Sequence, residues 1–378
     1  MIKNNQKIPE GWSVKKLGDI GKVSMCKRIM KHETNPNTGV PFYKIGTFGG
    51  KADAYISEAL YIEYKNKYSY PKKGDILISA AGTIGRTVVF DGKDSYFQDS
   101  NIVWVANDEA KALNKYLLYY YTTSPWYTTT GGAISRLYNE NISNAQILLP
   151  PLAEQEKIAG ILGTWDEAIE KLSSLIEQKK LLKKGLMQRL LIGKTRLNGF
   201  TQPWKEVKLG DICKIATGKK DVNEGNPDGL YPFFTCAKIN TFSDTFSFDQ
   251  EAILIAGNGE VGHCQYYNGK FEAYQRTYIL SDFTLSALLL FQYLNYFFKQ
   301  RIDEQKQQGA MPYIKLKTLI DFQIYIPRDK NEQNSLLNIL STADDEINLL
   351  NKKLEALKEQ KKGLMQQLLT GQTRVKVN

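Results

Sequence analysis

The chain has few of the residues that build metal sites and nucleophilic active sites. Its 378 residues include only two histidines, His32 and His263, and neither lies in an HExxH motif. No GxSxG motif is present, so a Ser-His-Asp arrangement is not indicated. The four cysteines lack CxxC spacing, which argues against a zinc ribbon and a disulfide framework. We therefore predict no metal and reduced thiols at Cys26, Cys213, Cys236 and Cys264.

Long apolar runs are missing too. No stretch approaches the roughly 18 apolar residues of a membrane span, and the opening MIKNNQKIPEGW has no apolar core like that of a signal peptide. These features predict a cytoplasmic protein. The composition, with 42% apolar residues, 22 Tyr and 16 Phe, is that of a folded chain. Its formal charge of +10 suits a polyanionic partner, although the charge is unevenly distributed along the chain.

The most informative feature that is present is an internal repeat. Residues 183–197 read KKGLMQRLLIGKTRL and residues 361–375 read KKGLMQQLLTGQTRV, so 11 of 15 positions are identical at a shift of 178. A second echo pairs Trp12 with Trp204 and the sequence LGDI at 17–20 with LGDI at 209–212. A repeated molecule has two similar faces, which suit a partner with two similar parts, such as duplex DNA.

Two kinds of segment alternate along the chain. Residues 1–151 and 198–328 are rich in Tyr, Phe, Val, Ile, Thr and Gly, which is typical of strands and turns. Residues 152–197 and 329–378 each contain a long stretch without proline that is rich in Leu, Lys, Glu and Gln, which is typical of helices. The order predicts an α+β protein in which two mixed α/β domains alternate with two long helices.

Both helical segments show the alternating three- and four-residue spacing of a coiled-coil seam, which predicts that the two helices pair. An alternative is that each stripe packs on its own neighbouring domain. Lys183 and Lys361 interrupt the seams at equivalent places, followed by Gly185 and Gly363. Such positions either fix the register, admit another backbone or mark a fraying helix end. The seam residues are Ile158, Leu162, Trp165, Ile169 and Leu172 in the first helix and Leu336, Leu340, Ile347, Leu350 and Leu354 in the second.

Several catalytic motifs are approached but not completed. Gly193-Lys194-Thr195 ends like a phosphate-binding loop, but the earlier glycine is missing and the segment follows a helix. The glycines at 82 and 85 lack the GxGxxG order of a dinucleotide site, which favours a β-turn. The carboxylate pairs at 166–167 and 344–345 are expected to be solvated on helix surfaces. A role in recognition therefore remains.

Equivalent turns of the globular segments carry residues that are able to read base edges or to bind phosphates. Residues 82–86 (GTIGR) align with 259–263 (GEVGH), Phe97-Gln98 aligns with Tyr274-Gln275, and Gly132-Ala133 aligns with Gly309-Ala310. The candidate DNA contacts of the first segment are Lys44, Gly82, Thr83, Arg86, Gln98, Asn101, Arg136, Tyr138 and Asn139. Those of the second are Lys219, Lys220, Lys238, Asn258, His263, Gln275 and Arg276.

The ordered set of these segments resembles the DNA-specificity subunit of type I restriction-modification systems. The likeness is carried by the two openings with Trp12 and Trp204, by the sequence LPPLAEQEKI at 149–158, and by the two KKGLMQ helix ends. It covers essentially the whole chain. The second junction, at 326–333, keeps the Pro and the Glu-Gln but lacks Pro-Pro-Leu.

The resemblance implies two target recognition domains, each reading one half of a split DNA site, separated by two antiparallel spacer helices. It implies two methyltransferase subunits, which bind S-adenosylmethionine and methylate adenine, and motor-nuclease subunits that use ATP and Mg. The chain itself is then expected to bind no cofactor and to catalyse no reaction. Two alternatives are a coiled-coil scaffold that binds only proteins and an enzyme that acts on nucleic acid by itself. Salt-dependent DNA binding would oppose the first alternative.

Overall fold

Short β-strands and two long helices alternate along the residues that the computed structural model describes, which are 8–123, 126, 136–307 and 313–377. They form two units. Unit 1 comprises residues 1–171 and 354–378, and unit 2 comprises residues 172–353. Each unit contains one sheet-rich segment and parts of both long helices, so the predicted α+β organisation is confirmed. None of the helices within the described ranges combines the length and apolarity of a membrane span.

Unit 1 contains ten strands in three small sheets, ordered β1-β10, β2-β9-β6-β7 and β3-β5-β4-β8. The only parallel pairing among these described strands joins β4 to β8. The elements in chain order are β1 (Ser13–Lys16), β2 (Gly21–Ser24), β3 (Thr34–Asn35), β4 (Val40–Tyr43), β5 (Tyr55–Ile56), α1 (Glu58–Lys67), β6 (Ile76–Ser79), β7 (Thr87–Val89), β8 (Tyr96–Phe97), β9 (Ile102–Asn107), α2 (Asn114–Thr123), α3 (Asn139–Asn144), β10 (Gln146–Leu149) and the first half of α4 (Leu152–Leu190).

The first three residues of strand β6, Ile76 to Ile78, are all apolar because both faces of the strand are covered. Successive side chains of a strand point to opposite faces. Ile76 and Ile78 belong to a core that includes Tyr116 of α2, whereas Leu77 belongs to a second core on the other face. A strand buried on both sides reads as a continuous apolar run, which is why the sequence shows no alternation here.

Unit 2 contains a two-stranded sheet, β11-β18, and a six-stranded sheet, β12-β17-β15-β16-β13-β14. Here β13 pairs with β16 in parallel, as β4 does with β8 in unit 1. The elements are β11 (Lys205–Lys208), α5 (Leu209–Ile212), β12 (Lys214–Thr217), β13 (Tyr231–Phe234), β14 (Thr241–Ser243), β15 (Phe248–Ala256), β16 (Cys264–Ala273), β17 (Thr277–Ser281), α6 (Ala287–Tyr293), a π-helical turn (Leu294–Phe298), α7 (Lys299–Gln307), α8 (Leu316–Ile320), β18 (Gln323–Ile326) and α9 (Lys330–Leu369).

The two long helices pack against each other within each unit. In unit 2, Lys179 and Lys183 of α4 contact Glu346 and Asp344 of α9, so residue numbers rise along one helix as they fall along the other. This part of the pair is therefore antiparallel. All ten predicted seam residues are buried or half-buried. Both packing hypotheses hold in part, because Ile158 and the other seam residues near the helix ends also belong to the cores of the globular segments.

Each seam lysine forms an ion pair with an aspartate of the facing helix. In unit 2, Lys183 Nζ donates to Asp344 Oδ1 at 2.6 Å. In unit 1, Lys361 donates to Asp166. Fraying is therefore the wrong explanation for the lysines, since α4 and α9 continue to Leu190 and Leu369. The polar seam positions are consistent with the register hypothesis.

The same two aspartates also bind the globular segments. Asp344 Oδ2 accepts a hydrogen bond from Gln292 Nε2 of α6 at 2.8 Å. Asp166 Oδ2 accepts one from the Tyr119 hydroxyl of α2 at 2.7 Å. The expectation that these carboxylates are merely solvated was wrong. Each of them ties two long helices and one domain helix together within its unit.

A second contact that occurs in both units joins a tryptophan, a glutamate and an arginine of the recurring segments, and in unit 1 these residues are Trp12, Glu154 and Arg374. Arg374 forms two hydrogen bonds to Glu154, at 2.8 and 2.9 Å, and its guanidinium lies 5.7 Å from the centroid of the Trp12 ring. Trp12 Nε1 donates to Glu154 Oε2 at 2.9 Å. Burial alone would raise the pKa of Glu154, but the hydrogen bonds from Arg374 and Trp12 hold it below its ordinary value.

Unit 2 repeats this arrangement with one difference. Arg196 forms two hydrogen bonds to Glu332, at 2.7 and 2.8 Å, and lies 5.7 Å from the Trp204 ring centroid. Glu332 is fully buried. The buried Trp204 Nε1, however, has no hydrogen-bond partner within the described part of the chain. Glu332 therefore depends more heavily on its arginine than Glu154 does.

Candidate nucleic-acid interface

A glycine turn follows the buried strand β6 in unit 1. Gly82 and Gly85 have φ angles of +63° and +80°, a region that favours glycine. Gly85 N donates to Ser79 O at 2.9 Å and closes the turn. Thr83 lies at the exposed tip beside Gly82. The turn, residues 80–86, is a fixed projection from the end of a core strand.

Two further segments of unit 1 pack beside this turn. Gln98 N donates to Tyr43 O, and Gln98 Oε1 accepts from Ile45 N, both at 2.9 Å. Asn101 O accepts from Ala80 N at 2.8 Å. These bonds bring the loop after β4, the turn after β6 and the turn after β8 to one place. We call these three loops, which contain Ile45, residues 80–86 and residues 98–101, the loop cluster of unit 1.

Two arginines complete this loop cluster. Arg86 Nη2 donates to Ile45 O at 3.1 Å, and its guanidinium lies 5.2 Å from the Phe48 ring centroid. Arg136 Nη2 donates to Ser100 O at 2.7 Å. A guanidinium has five N–H donors, so both arginines keep donors for a ligand while the Nη2 of each guanidinium is held by a backbone carbonyl.

Unit 2 contains a second loop cluster, held by backbone hydrogen bonds equivalent to those of unit 1. Gly262 N donates to Ala256 O at 2.9 Å, as Gly85 does to Ser79 in unit 1. Gly257 N donates to Arg276 O at 3.0 Å, and Gly257 O accepts from Ile314 N at 2.7 Å. The counterparts of these two bonds involve Ala80 of unit 1.

The repeated bonds define which positions of the two loop clusters are equivalent, and most of these positions carry different side chains. The framework is thus shared, while the chemical groups that it presents are not. The pairs, with unit 1 first, are Gly82 and Gly259, Thr83 and Glu260, Arg86 and His263, Asn101 and Arg276, Arg136 and Tyr313, and Tyr138 and Lys315.

One predicted alignment is shifted by a residue. Phe97 pairs with Tyr43 in parallel, and Ala273 pairs in the same way with Phe234. The equivalent of Gln98 is therefore Tyr274, not Gln275. The turn before β17 is shorter than the turn before β9, which a comparison of two dipeptides does not reveal. The Gly132-Ala133 and Gly309-Ala310 pair lies outside the described residues.

Most of the other predicted contacts also lie in or beside the loop clusters. Lys238 and Lys219 are exposed, and Asn258 and His263 are half-exposed in the turn after β15. Gln275 is exposed and donates to Asp221 Oδ2 at 3.3 Å. In unit 1, Lys44 forms an exposed ion pair with Asp53, and Tyr138 and Asn139 are exposed at the start of α3.

Lys220 differs from the other candidates because its side chain is turned inward. Its ammonium donates to Ser243 Oγ at 3.1 Å and to Thr245 Oγ1 at 2.6 Å. It also lies 3.6 Å from the fully buried carboxylate of Glu272. Lys220 therefore neutralises a buried charge of unit 2, a role that its sequence position beside Lys219 does not reveal.

Three further exposed residues of unit 2, Glu260, Tyr313 and Lys315, occupy loop-cluster positions equivalent to predicted contacts of unit 1 but were not themselves among the predicted contacts. The repeat contained the signal, since a shift of 177 from Thr83, Arg136 and Tyr138 leads to them. Two of them help to line a groove of about 600 Å³ in the loop cluster of unit 2. The groove is lined by Thr217, Gly257, Gln275, Arg276, Tyr278, Tyr313, Ile314, Lys315 and Leu316.

The groove combines cationic and aromatic groups. Tyr278 donates its hydroxyl proton to Ile314 O at 2.9 Å, and burial raises its pKa above the ordinary value, so the phenol stays neutral. Arg276 and Lys315 supply the positive charge. Within the described residues, no group of three or more His, Cys, Asp or Glu side chains is arranged to hold a metal ion. Cationic side chains beside tyrosines are suited to contacts with the phosphates of an anionic polymer.

Comparison with known proteins identifies the class. The family model described as type I restriction modification DNA specificity domain matches the chain twice, over residues 9–178 and 201–359. The chain belongs to this family.

Two relatives and one solved structure show how far the similarity extends. A putative type I restriction enzyme specificity subunit of Haemophilus influenzae is 60% identical over 159 residues, which cover 42% of this chain and 41% of the relative. The type I restriction enzyme MjaVIII specificity subunit of Methanocaldococcus jannaschii is 25% identical, with 98% and 95% covered. The S subunit of a type I restriction-modification system from M. genitalium shares the fold, with a TM-score of 0.63, 18% identity and 97% of each chain covered.

Proposed function

We propose that the chain is the DNA-recognition subunit of a type I restriction-modification complex, and that each loop cluster reads one half of a bipartite site through the DNA grooves. The observation that carries the proposal is one hydrogen-bonded framework built twice with different side chains. Arg86 is replaced by His263, Asn101 by Arg276, and Arg136 by Tyr313. Forked donors and acceptors at such positions discriminate bases. Two different sets suit two different half-sites.

The long helices would set the distance between the half-sites and dock two methyltransferase subunits. Helices of 39 and 40 residues are each about 60 Å long. On the part of the pair in unit 2, Leu181, Leu182 and Leu349 are 57–69% exposed, which supports a surface covered by another protein. The motor-nuclease subunits would join this complex.

Catalysis and cofactors would belong to the partners. S-adenosylmethionine would bind to the methyltransferase subunits, while ATP and Mg would bind to the motor-nuclease subunits. The chain would act in the cytoplasm on double-stranded DNA and would not itself be an enzyme. Its charged and forked side chains bind and orient DNA in this account.

The test is to express the chain with the methyltransferase subunits of its own system and to map the methylated adenines in the host genome. The expected result is one bipartite motif with a fixed spacer of about one helical turn between half-site centres. Insertion of one heptad into each long helix should change the spacer and leave both half-sites intact. Altered half-sites with the old spacer, or a coiled-coil complex that neither binds nor modifies DNA, would contradict the proposal.

A further inference from the structure

Glu260 is the only carboxylate in the segments that form the loop cluster of unit 2, which are residues 235–240, 257–263, 274–276 and 313–316. It is exposed at the tip of the turn between β15 and β16. Its side chain forms no hydrogen bond or ion pair with any other described residue. In the loop cluster of unit 1 the equivalent residue is Thr83, and the carboxylate of that cluster, Asp99, forms an ion pair with Arg28 at 2.9 Å. An exposed carboxylate without an ion-pair partner at this position is therefore a feature of unit 2.

The backbone at Glu260 is fixed on both sides. Glu260 N donates to Cys236 O, and Glu260 O accepts from His263 N, both at 2.9 Å. Gly259 has a φ of +58°, and a Cβ added there would lie 2.7 Å from Cys236 O. The turn therefore tolerates little movement at the residue that precedes the carboxylate. The backbone from which the Glu260 side chain projects is therefore held in one place, so the carboxylate reaches the ligand from a defined point.

The phosphates repel a carboxylate that lies next to DNA, and a hydrogen bond donated by a base amino group offsets this repulsion. Only cytosine N4 and adenine N6 offer amino donors in the major groove. Adenine places the N7 acceptor beside its amino group, and the lone pair of N7 would repel the second carboxylate oxygen. Cytosine has a C–H group at that place. A carboxylate therefore favours cytosine.

We propose that Glu260 selects a cytosine in the half-site read by unit 2, and that its charge weakens binding to sequences without an amino donor there. The inference rests on the proposed function of the loop clusters. It adds a discriminating residue to a set that otherwise supplies mainly hydrogen-bond donors. Unit 1, which has Thr83 at the equivalent position, lacks this device.

The experiment compares Glu260→Gln with Glu206→Gln in the complete complex. Glu206 is an exposed residue of β11 outside the loop cluster, so its variant makes the same charge change at a control position. Methylation mapping should show a C·G pair at one position of one half-site in the parent. In Glu260→Gln, selectivity at that position should fall by about 5- to 100-fold, while the other half-site is unchanged. Glu206→Gln should keep the parental motif.

Oligonucleotide binding gives a second measurement, whose first part uses the parent complex alone. Replacing the C·G pair should weaken binding by a similar factor, and in Glu260→Gln this difference should nearly vanish. An unchanged motif in Glu260→Gln, or no C·G pair in either half-site, overturns this inference alone. Absence of a bipartite motif in the parent overturns the proposed function and this inference with it.

Discussion

Replacing Arg196 by methionine should destabilise unit 2 more than the equivalent replacement of Arg374 destabilises unit 1. Both arginines form two hydrogen bonds to a carboxylate that is at most 3% exposed. Removing one partner of a buried ion pair lowers the free energy of unfolding by about 3–5 kcal/mol, because the other charge stays buried without a partner. Arg196→Met leaves Glu332 in this unpaired state. In Arg374→Met, Glu154 keeps the hydrogen bond from Trp12. Because a bond to a charged group contributes about 1.5–3 kcal/mol, the loss in unit 1 should be smaller by about that amount.

Hydrogen exchange measured by mass spectrometry shows in which unit stability is lost, whereas a single melting curve does not distinguish the two units. In a regime where exchange reports local opening, 3 kcal/mol corresponds to roughly 100-fold faster exchange. Peptides from β15 and β17 report on unit 2, and peptides from β6 and β9 report on unit 1. Each variant should accelerate exchange mainly in its own unit.

The double variant Arg196→Met with Glu332→Leu provides the control. Because it removes the buried charge together with its partner, it should recover much of the stability that Arg196→Met loses. Equal losses from the two arginine variants, or a larger loss from Arg374→Met, would refute the reasoning. A double variant as unstable as Arg196→Met would show that the arginine acts through packing on the tryptophan instead.

Three further outcomes are expected. Lys183→Asp should destabilise the helix pair by placing two carboxylates together, and adding Asp344→Lys should restore most of the loss in a chemical denaturation series, unless the pair has no role in the register. Gly185→Ala and Gly363→Ala should each stabilise the chain by up to about 1 kcal/mol, since an added Cβ would meet no atom within 4 Å; lost stability in thermal melts would contradict this. The pKa of Glu154 is lowered in the folded state, so its ion pair contributes stability at a pH above the ordinary pKa of 4.5, and this stability is lost as the pH falls through the pKa of the folded state. The free energy of unfolding of the parent should therefore drop more steeply below pH 4.5 than that of Glu154→Gln. Parallel curves would count against the ion pair.

The helices and the glycine turns could be predicted from the sequence because their signals are local. Seam spacing and the absence of proline indicate α4 and α9, and the paired glycines of residues 82–86 and 259–263 indicate the two turns. Gly85 and Gly262 do adopt positive φ angles, as a turn of this kind requires. The same shift of 177, applied to Arg136 and Tyr138, also leads to Tyr313 and Lys315.

The contacts that connect distant segments could not be predicted. Arg374 and Glu154 are 220 residues apart, and nothing local to either residue indicates the other. Lys220 resembles its neighbour Lys219 in sequence, yet only Lys220 lies near the buried Glu272. The direction of a side chain follows from the packing of the whole sheet, which local patterns do not determine.

The most direct test of the central claim exchanges residues 12–150 for the corresponding segment of a specificity subunit with a known, different motif. The complex is then assembled with the methyltransferase subunits, and the methylated adenines are mapped. Since each loop cluster is built from the bonds of its own unit, one half-site should change, while the other half-site and the spacer are retained. A change in both half-sites, or in neither, would contradict the claim that each unit reads one half of the DNA site.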